Sequence, residues 1–123
     1  MTIKIASEGG TVDFDAKQGL AKIWFHYDQI ANVNRDSLNL SSVTDNSFGD
    51  FNANINSNMN NSNYATSHSG AAEESPTDTQ HLGTTVSFLT TTAFNVQTPS
   101  HGTTGPSQDD WPENFCATHG DLA

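Results

Sequence analysis

No stretch of this chain keeps apolar residues at helical spacing for three turns, whereas apolar–polar alternation recurs along it. That contrast confines the fold to strands, because only a strand turns successive side chains to opposite faces. Ala21, Ile23, Phe25 and Tyr27 share one parity, and Lys22, Trp24 and His26 share the other. Trp24 on the second parity implies that neither face is fully solvated. Trp24 is therefore expected to be buried, with truncation to alanine costing ~3–5 kcal/mol. Leu38 and Leu40 share a face of a second strand, and Val43 lies on the opposite parity near its end. Phe51, Ala53 and Ile55 face one way in a third strand, and Asn52, Asn54 and Asn56 face the other.

Residues 44–50 carry Asp, Asn and Gly, which tolerate the positive φ of hairpin turns, so 37–56 reads as a β-hairpin. A turn at 60–64 leads into a short strand near 64–67. Residues 69–79 read as a loop rich in Gly, Ala, Glu, Ser and Pro. Thr-rich strands follow at 84–89 and 93–98, carrying Val86, Phe88, Phe94 and Val96. Thr90, Thr91 and Thr92 either connect these two or continue one of them. A second loop covers 99–112, and a last strand covers 115–119. About seven short strands with irregular turn spacing define an all-β fold, a small antiparallel β-sandwich or barrel. Composition supports this reading. Asn, Ser and Thr number 13, 13 and 15, so 41 of 123 residues are short polar side chains that compete with helix for backbone hydrogen bonds. Eleven aromatics argue for a packed core over disorder. The expected organisation is an N-terminal strand or docking segment at 1–18 and a single β-sandwich domain at 19–123.

Charge limits the partners. Four cations, Lys4, Lys17, Lys22 and Arg35, stand against 14 acids, for a net charge of -10. No basic footprint for nucleic acid exists, and an anionic membrane surface is an unsuitable partner for the same reason. No run approaches ~18 apolar residues, and residues 1–10 lack the apolar region of a secretory signal. Synthesis and folding in a cytoplasm are expected.

Site chemistry is sparse. Five histidines, at 26, 68, 81, 101 and 119, form no zinc-binding pair on a helix, and Cys116 with His119 has no second pair. No metal ligands and no cofactor are expected. The stretch Asp45-Asn46-Ser47-Phe48-Gly49-Asp50 lacks the alternating oxygens and terminal Glu of an EF-hand and reads as hairpin chemistry. No nucleophile elbow or phosphate loop is present, and Cys116 reads as a buried strand residue. The chain is therefore not expected to be an enzyme, and no catalytic residue is assigned. Candidate ligand contacts are Tyr64, His68 and Trp111. Trp111 beside Asp109 and Asp110 has the makings of a sugar-stacking ring, against the plainer reading of a half-buried Trp under an acidic loop. Glu73, Glu74, Asp109 and Asp110 either meet a basic partner or solvate their loops.

A segment order is also familiar. Gly19-Leu20-Ala21-Lys22-Ile23-Trp24-Phe25 is followed by Arg35-Asp36-Ser37-Leu38-Asn39-Leu40-Ser41-Ser42-Val43-Thr44-Asp45-Asn46, then Gly49-Asp50-Phe51, then Met59 and Asn63-Tyr64-Ala65. This order, with the ending Gly120-Asp121-Leu122-Ala123, resembles a module of tail-fibre and other virion-surface proteins of tailed bacteriophages, of marine or cyanobacterial type. The resemblance spans about 19–65 and rests chiefly on Ser-Ser-Val-Thr-Asp-Asn. It departs at His26-Tyr27-Asp28, at Ser47-Phe48 and in the Asn-rich strand after Phe51. It implies antiparallel β structure, a place on the virion surface and homo-oligomers, commonly trimers. It transfers no binding or catalytic residues. The expected role is a short trimeric fibre or receptor-binding component contacting the host surface, with host glycan and other virion proteins (tail or major capsid) as partners. The alternative is a capsid decoration protein, favoured by a small acidic domain without a fibre shaft; a polysaccharide hydrolase is the remote alternative.

Overall fold

A computed structural model describes residues 4–6, 13–15, 20–71, 83–99 and 108–123. The described residues contain no helix. β1 (Lys4–Ala6) and β2 (Asp13–Asp15) pair antiparallel as a separate two-stranded sheet. The other residues of the expected 1–18 docking segment lie outside the described ones. Eight further strands follow: β3 (Ile23–Asp28), β4 (Val33–Leu38), β5 (Leu40–Ser47), β6 (Asp50–Ile55), β7 (Ala65–Ala71), β8 (Thr85–Ser87), β9 (Ala93–Gln97) and β10 (Glu113–His119). They form two four-stranded antiparallel sheets, ordered β4-β3-β10-β7 and β5-β6-β9-β8. Neither sheet closes on itself, so the fold is the sandwich and not the barrel.

The core is where the alternation put it. Ile23, Phe25 and Tyr27 from β3 meet Phe51, Ala53 and Ile55 from β6 and Phe94 and Val96 from β9. Phe25 contacts Phe51 and Phe94 with ring centroids 6.3 Å apart, and Tyr27 lies 5.0 Å from Phe51. Edge-to-face and offset contacts of this kind suit the ring quadrupoles. Cys116 from β10 points into the core, as expected.

Several expectations are corrected. Leu38 and Leu40 do not share a strand. Asn39 takes a left-handed φ of 59° and hands the chain from one sheet to the other. Asn tolerates this conformation, and its side chain clamps Ser57 through both N–H and C=O. The hairpin is therefore 40–55, while 37–38 belong to β4. Val43 packs against the same core as Leu40 despite opposite parity, because a register shift between Leu40 and Ser42 absorbs one residue. β4 itself went unseen: five of its six residues are exposed and leave no apolar alternation. β7 continues through Ala71 where a loop was expected from 69, and residues 72–82, with Glu73, Glu74 and His81, lie outside the described ones. So do residues 100–107 of the second loop, with His101. Thr90, Thr91 and Thr92 connect β8 to β9, with Thr90 Oγ1 accepting from the Ala93 N–H. Trp24 is 38% exposed, not buried. Its β3 neighbours Ile23 and Phe25 take the core, and among the described residues no layer covers the opposite face.

Candidate functional site

The two outer faces of the sandwich differ. On the β5-β6-β9-β8 sheet, amides and hydroxyls bond to one another. Asn95 Nδ2 donates to Asp50 Oδ1 (2.7 Å) and Asn52 Oδ1 (3.0 Å). Asn54 Nδ2 donates to Ser42 Oγ (3.0 Å) and Thr44 Oγ1 (2.9 Å). Asp50 is held below the usual carboxylate range: burial would raise it, but donors from Asn46, Gln97 and Asn95 more than offset that. This lattice satisfies its own polar groups.

The outer face of the β4-β3-β10-β7 sheet instead carries Trp24, Leu38 and Phe115, exposed by 38%, 47% and 45%. Register fixes their layout. Phe115 on β10 lies between His26 on β3 and Ser69 on β7, and Ala117 lies between Trp24 and Ser67. His26 stacks on the Phe115 ring, with centroids 4.4 Å apart and planes at 30°. On the β7 side, Phe115, Ala117, Ser67 and Ser69, with the strand segments at His68 and Cys116, line a shallow depression of about 180 Å³. Ala117 has only a methyl group, with Trp24 directly across on β3 and Phe115 two residues along its own strand, and that difference in size leaves the space.

A chain of hydrogen-bonded polar side chains holds the stack. His26 Nε2 meets Glu113 Oε2, Arg35 Nη1 donates to Glu113 Oε1, and Arg35 Nη2 donates to Asp28 Oδ2 at 2.8 Å. Arg35 reaches both acids because it is the extra residue in a bulge: His26 pairs with Asp36 and Tyr27 with Asn34, so the register skips Arg35. Re-aiming one side chain is what such a bulge does. The Asp28 carboxyl lies below its ordinary value; burial would raise it, but the Ala31 N–H and the Arg35 guanidinium outweigh burial.

Of the sequence candidates, His68 is among the residues lining the depression, and Tyr64 and Trp111 are buried. Tyr64 is a core residue, 7% exposed, whose hydroxyl donates to Thr90 O (2.8 Å) and Ala93 O (3.2 Å). Trp111 is 3% exposed, donates from Nε1 to Pro99 O (3.1 Å), and packs beside Gly70, where an added Cβ would lie 2.9 Å from the indole. His68 points inward, with Nε2 3.1 Å from Asn114 Oδ1, and is among the residues that line the depression. Asn114 Nδ2 donates to Trp111 O and Tyr27 O, so Oδ1 is the atom left to accept from His68 Nε2–H. His68 Nδ1 has no partner among the described residues, and burial pushes the imidazole down to about 4, with the Asn114 bond opposing.

The three do not converge on one exposed surface. The residues that do converge, Phe115, His26, Glu113, Arg35, Ser67 and Ser69, were not singled out from sequence. One signal was available: placing Cys116 in the core forces Phe115 onto the opposite face. Among the described residues no group of three or more His, Cys, Asp or Glu could hold a metal ion. No protein-family model matches this chain, no curated protein matches it, and no solved structure matches it.

Proposed function

We propose that this chain is a structural protein of the surface of a tailed-phage particle, a short homotrimeric fibre or receptor-binding component that contacts the host. The observation that carries the reading is the asymmetry of the sandwich. One outer face consumes its polar groups internally, and the other presents exposed aromatic and apolar side chains braced by a chain of hydrogen-bonded side chains. Exposed apolar surface of this kind marks an interaction site. The resemblance around Ser41-Ser42-Val43-Thr44-Asp45-Asn46 supplies the virion context, and these residues lie on β5 as scaffold. The test is copy number per particle, by quantitative mass spectrometry of purified virions against the major capsid protein. A few tens of copies or fewer supports a fibre or vertex component. A number comparable with the capsid protein makes the chain a decoration protein instead. Absence from purified particles overturns the reading.

A further inference from the structure

The geometry assigns a binding subsite for one uncharged pyranose ring to the depression between β10 and β7, walled by Phe115 and rimmed by Ser67 and Ser69. Its size selects a small group. At about 180 Å³ it falls below the ~300–1,000 Å³ of pockets that enclose drug-sized ligands, so it takes a single ring and not an extended molecule. The Phe115 ring has one face against His26, and it also lines the depression. An aromatic surface with a positive ring edge and negative face attracts the polarised C–H groups along one side of a sugar. Hydroxyl partners stand on the opposite rim. Ser67 Oγ makes only a long bond to Ala117 O, 3.3 Å, and Ser69 Oγ has no hydrogen bond among the described residues.

Charge decides against other small ligands. The chain carries a net charge of -10, and Glu113 sits two residues from Phe115 on the same outer face, which repels a carboxylated or sulfated sugar. A cation finds no open carboxylate there, because both Glu113 oxygens are already bonded, to His26 and to Arg35. The chain Asp28–Arg35–Glu113–His26 fixes the ring before any ligand arrives, which lowers the ordering cost of binding. His26 and Glu113 are thus positioning residues and do not touch the sugar.

The inference rests on the function proposed above for the bearer of the sugar, the host surface. The experiment is a two-dimensional ¹H–¹⁵N NMR titration of the full chain with methyl glycosides of glucose, galactose and N-acetylglucosamine, with glucuronate as the anionic probe. At least one neutral glycoside should shift amides at Ser67, Ser69, Phe115 and Ala117 and saturate in the millimolar range. Phe115→Ala should weaken that binding about tenfold or more, Phe115→Tyr should keep it within about threefold, and Ser69→Ala should weaken it about two- to tenfold. Asn54→Ala, on the opposite face, should leave it unchanged. Glu113→Gln should weaken it while preserving the backbone spectrum. Should Phe115→Ala fail to fold, Ser69→Ala and Phe115→Tyr decide. Four results overturn the site: no shift with any neutral glycoside, shifts clustered elsewhere, tighter binding of glucuronate, or concentration-dependent shifts at Phe115 without sugar, which mark a contact between copies. A chain present in particles that binds no sugar overturns the site alone. A chain that binds sugar but is missing from particles overturns the virion reading alone.

Discussion

Trp24 and Phe25 are adjacent in sequence and opposite in consequence. Phe25 is 2% exposed and touches two core rings, while Trp24 stands 38% exposed on the outer sheet face. Core truncations lose transfer energy and leave a cavity, whereas a half-exposed ring loses only part of the first. Phe25→Ala should therefore cost ~3–5 kcal/mol in a urea titration, and Trp24→Ala less than about 1.5 kcal/mol. His68 sets the pH dependence. In the unfolded chain its imidazole takes up a proton near the ordinary 6.5, but in the folded chain not until about 4. The unfolded state thus binds more protons between those values, and stability falls as pH drops through that window, by roughly 2–3 kcal/mol. Below about 4 this group adds no further loss. The cause is visible at Nδ1: a second proton there becomes a buried donor with no acceptor among the described residues. Urea midpoints between pH 6.5 and 4 should flatten in His68→Gln, and an unchanged slope would assign the effect to other groups. Cys116 follows the same physics. Burial pushes its thiol up to about 12, so a thiolate-directed reagent should leave it unmodified until the protein unfolds.

At the scale of elements, two backbone positions decide how strands connect. Gly49 turns β5 into β6 at φ +63°, and an added Cβ would lie 2.5 Å from both Thr98 O and Asp109 N. Its N–H also accepts no substitute geometry easily, since it donates to Asp110 Oδ1 at 2.7 Å. Gly49→Ala should cost about 2–3 kcal/mol, combining left-handed strain with a backbone clash. Thermal unfolding measures it, and a loss under half a kcal/mol would mean the turn rearranges freely. Asn39 is the other position. Asn39→Ala loses both bonds to Ser57 and should destabilise by about 1–2 kcal/mol, while Asn39→Gly keeps the φ and recovers part of that. Two of the three register shifts belong to this scale as well. One reverses the parity of Val43, and the other turns Arg35 toward Asp28 and Glu113. Neither is visible to a period-two reading, which assumes one residue against one.

At the scale of the molecule, the fold solves two problems with one asymmetry. A sandwich this polar has few side chains for its core, so the inward faces of β10 and β7 are closed by polar pairs. Thr66 meets Thr118 at 2.9 Å, and His68 meets Asn114. Apolar side chains that a larger core would absorb stand outside, at Trp24, Leu38 and Phe115. The proposed homotrimer would bury further apolar surface and shield strand edges. Light scattering at micromolar concentration should then give three times the chain mass, and a monomeric mass would remove the trimer from the reading.

The sequence by itself determined the all-β antiparallel class, sandwich or barrel, and the buried triplets Ile23, Phe25, Tyr27 and Phe51, Ala53, Ile55. Each of these is a local property, because alternation needs only near neighbours to state which face is apolar. Residue parity also sufficed for the polar outer row of Asn52 and Asn54. The tertiary structure alone decided the rest. It split Leu38 from Leu40 at one left-handed asparagine, covered Trp111 and Tyr64, and exposed Trp24 because no third layer among the described residues packs on its sheet. Apart from the parity that turns Phe115 away from Cys116, the candidate site is of this second kind. Phe115, His26, Ser69 and Arg35 come from three regions of the chain, and they meet only because β10 pairs with both β3 and β7. Which strands become neighbours depends on distant pairing and on how two sheets stack, and no local pattern of residues encodes it.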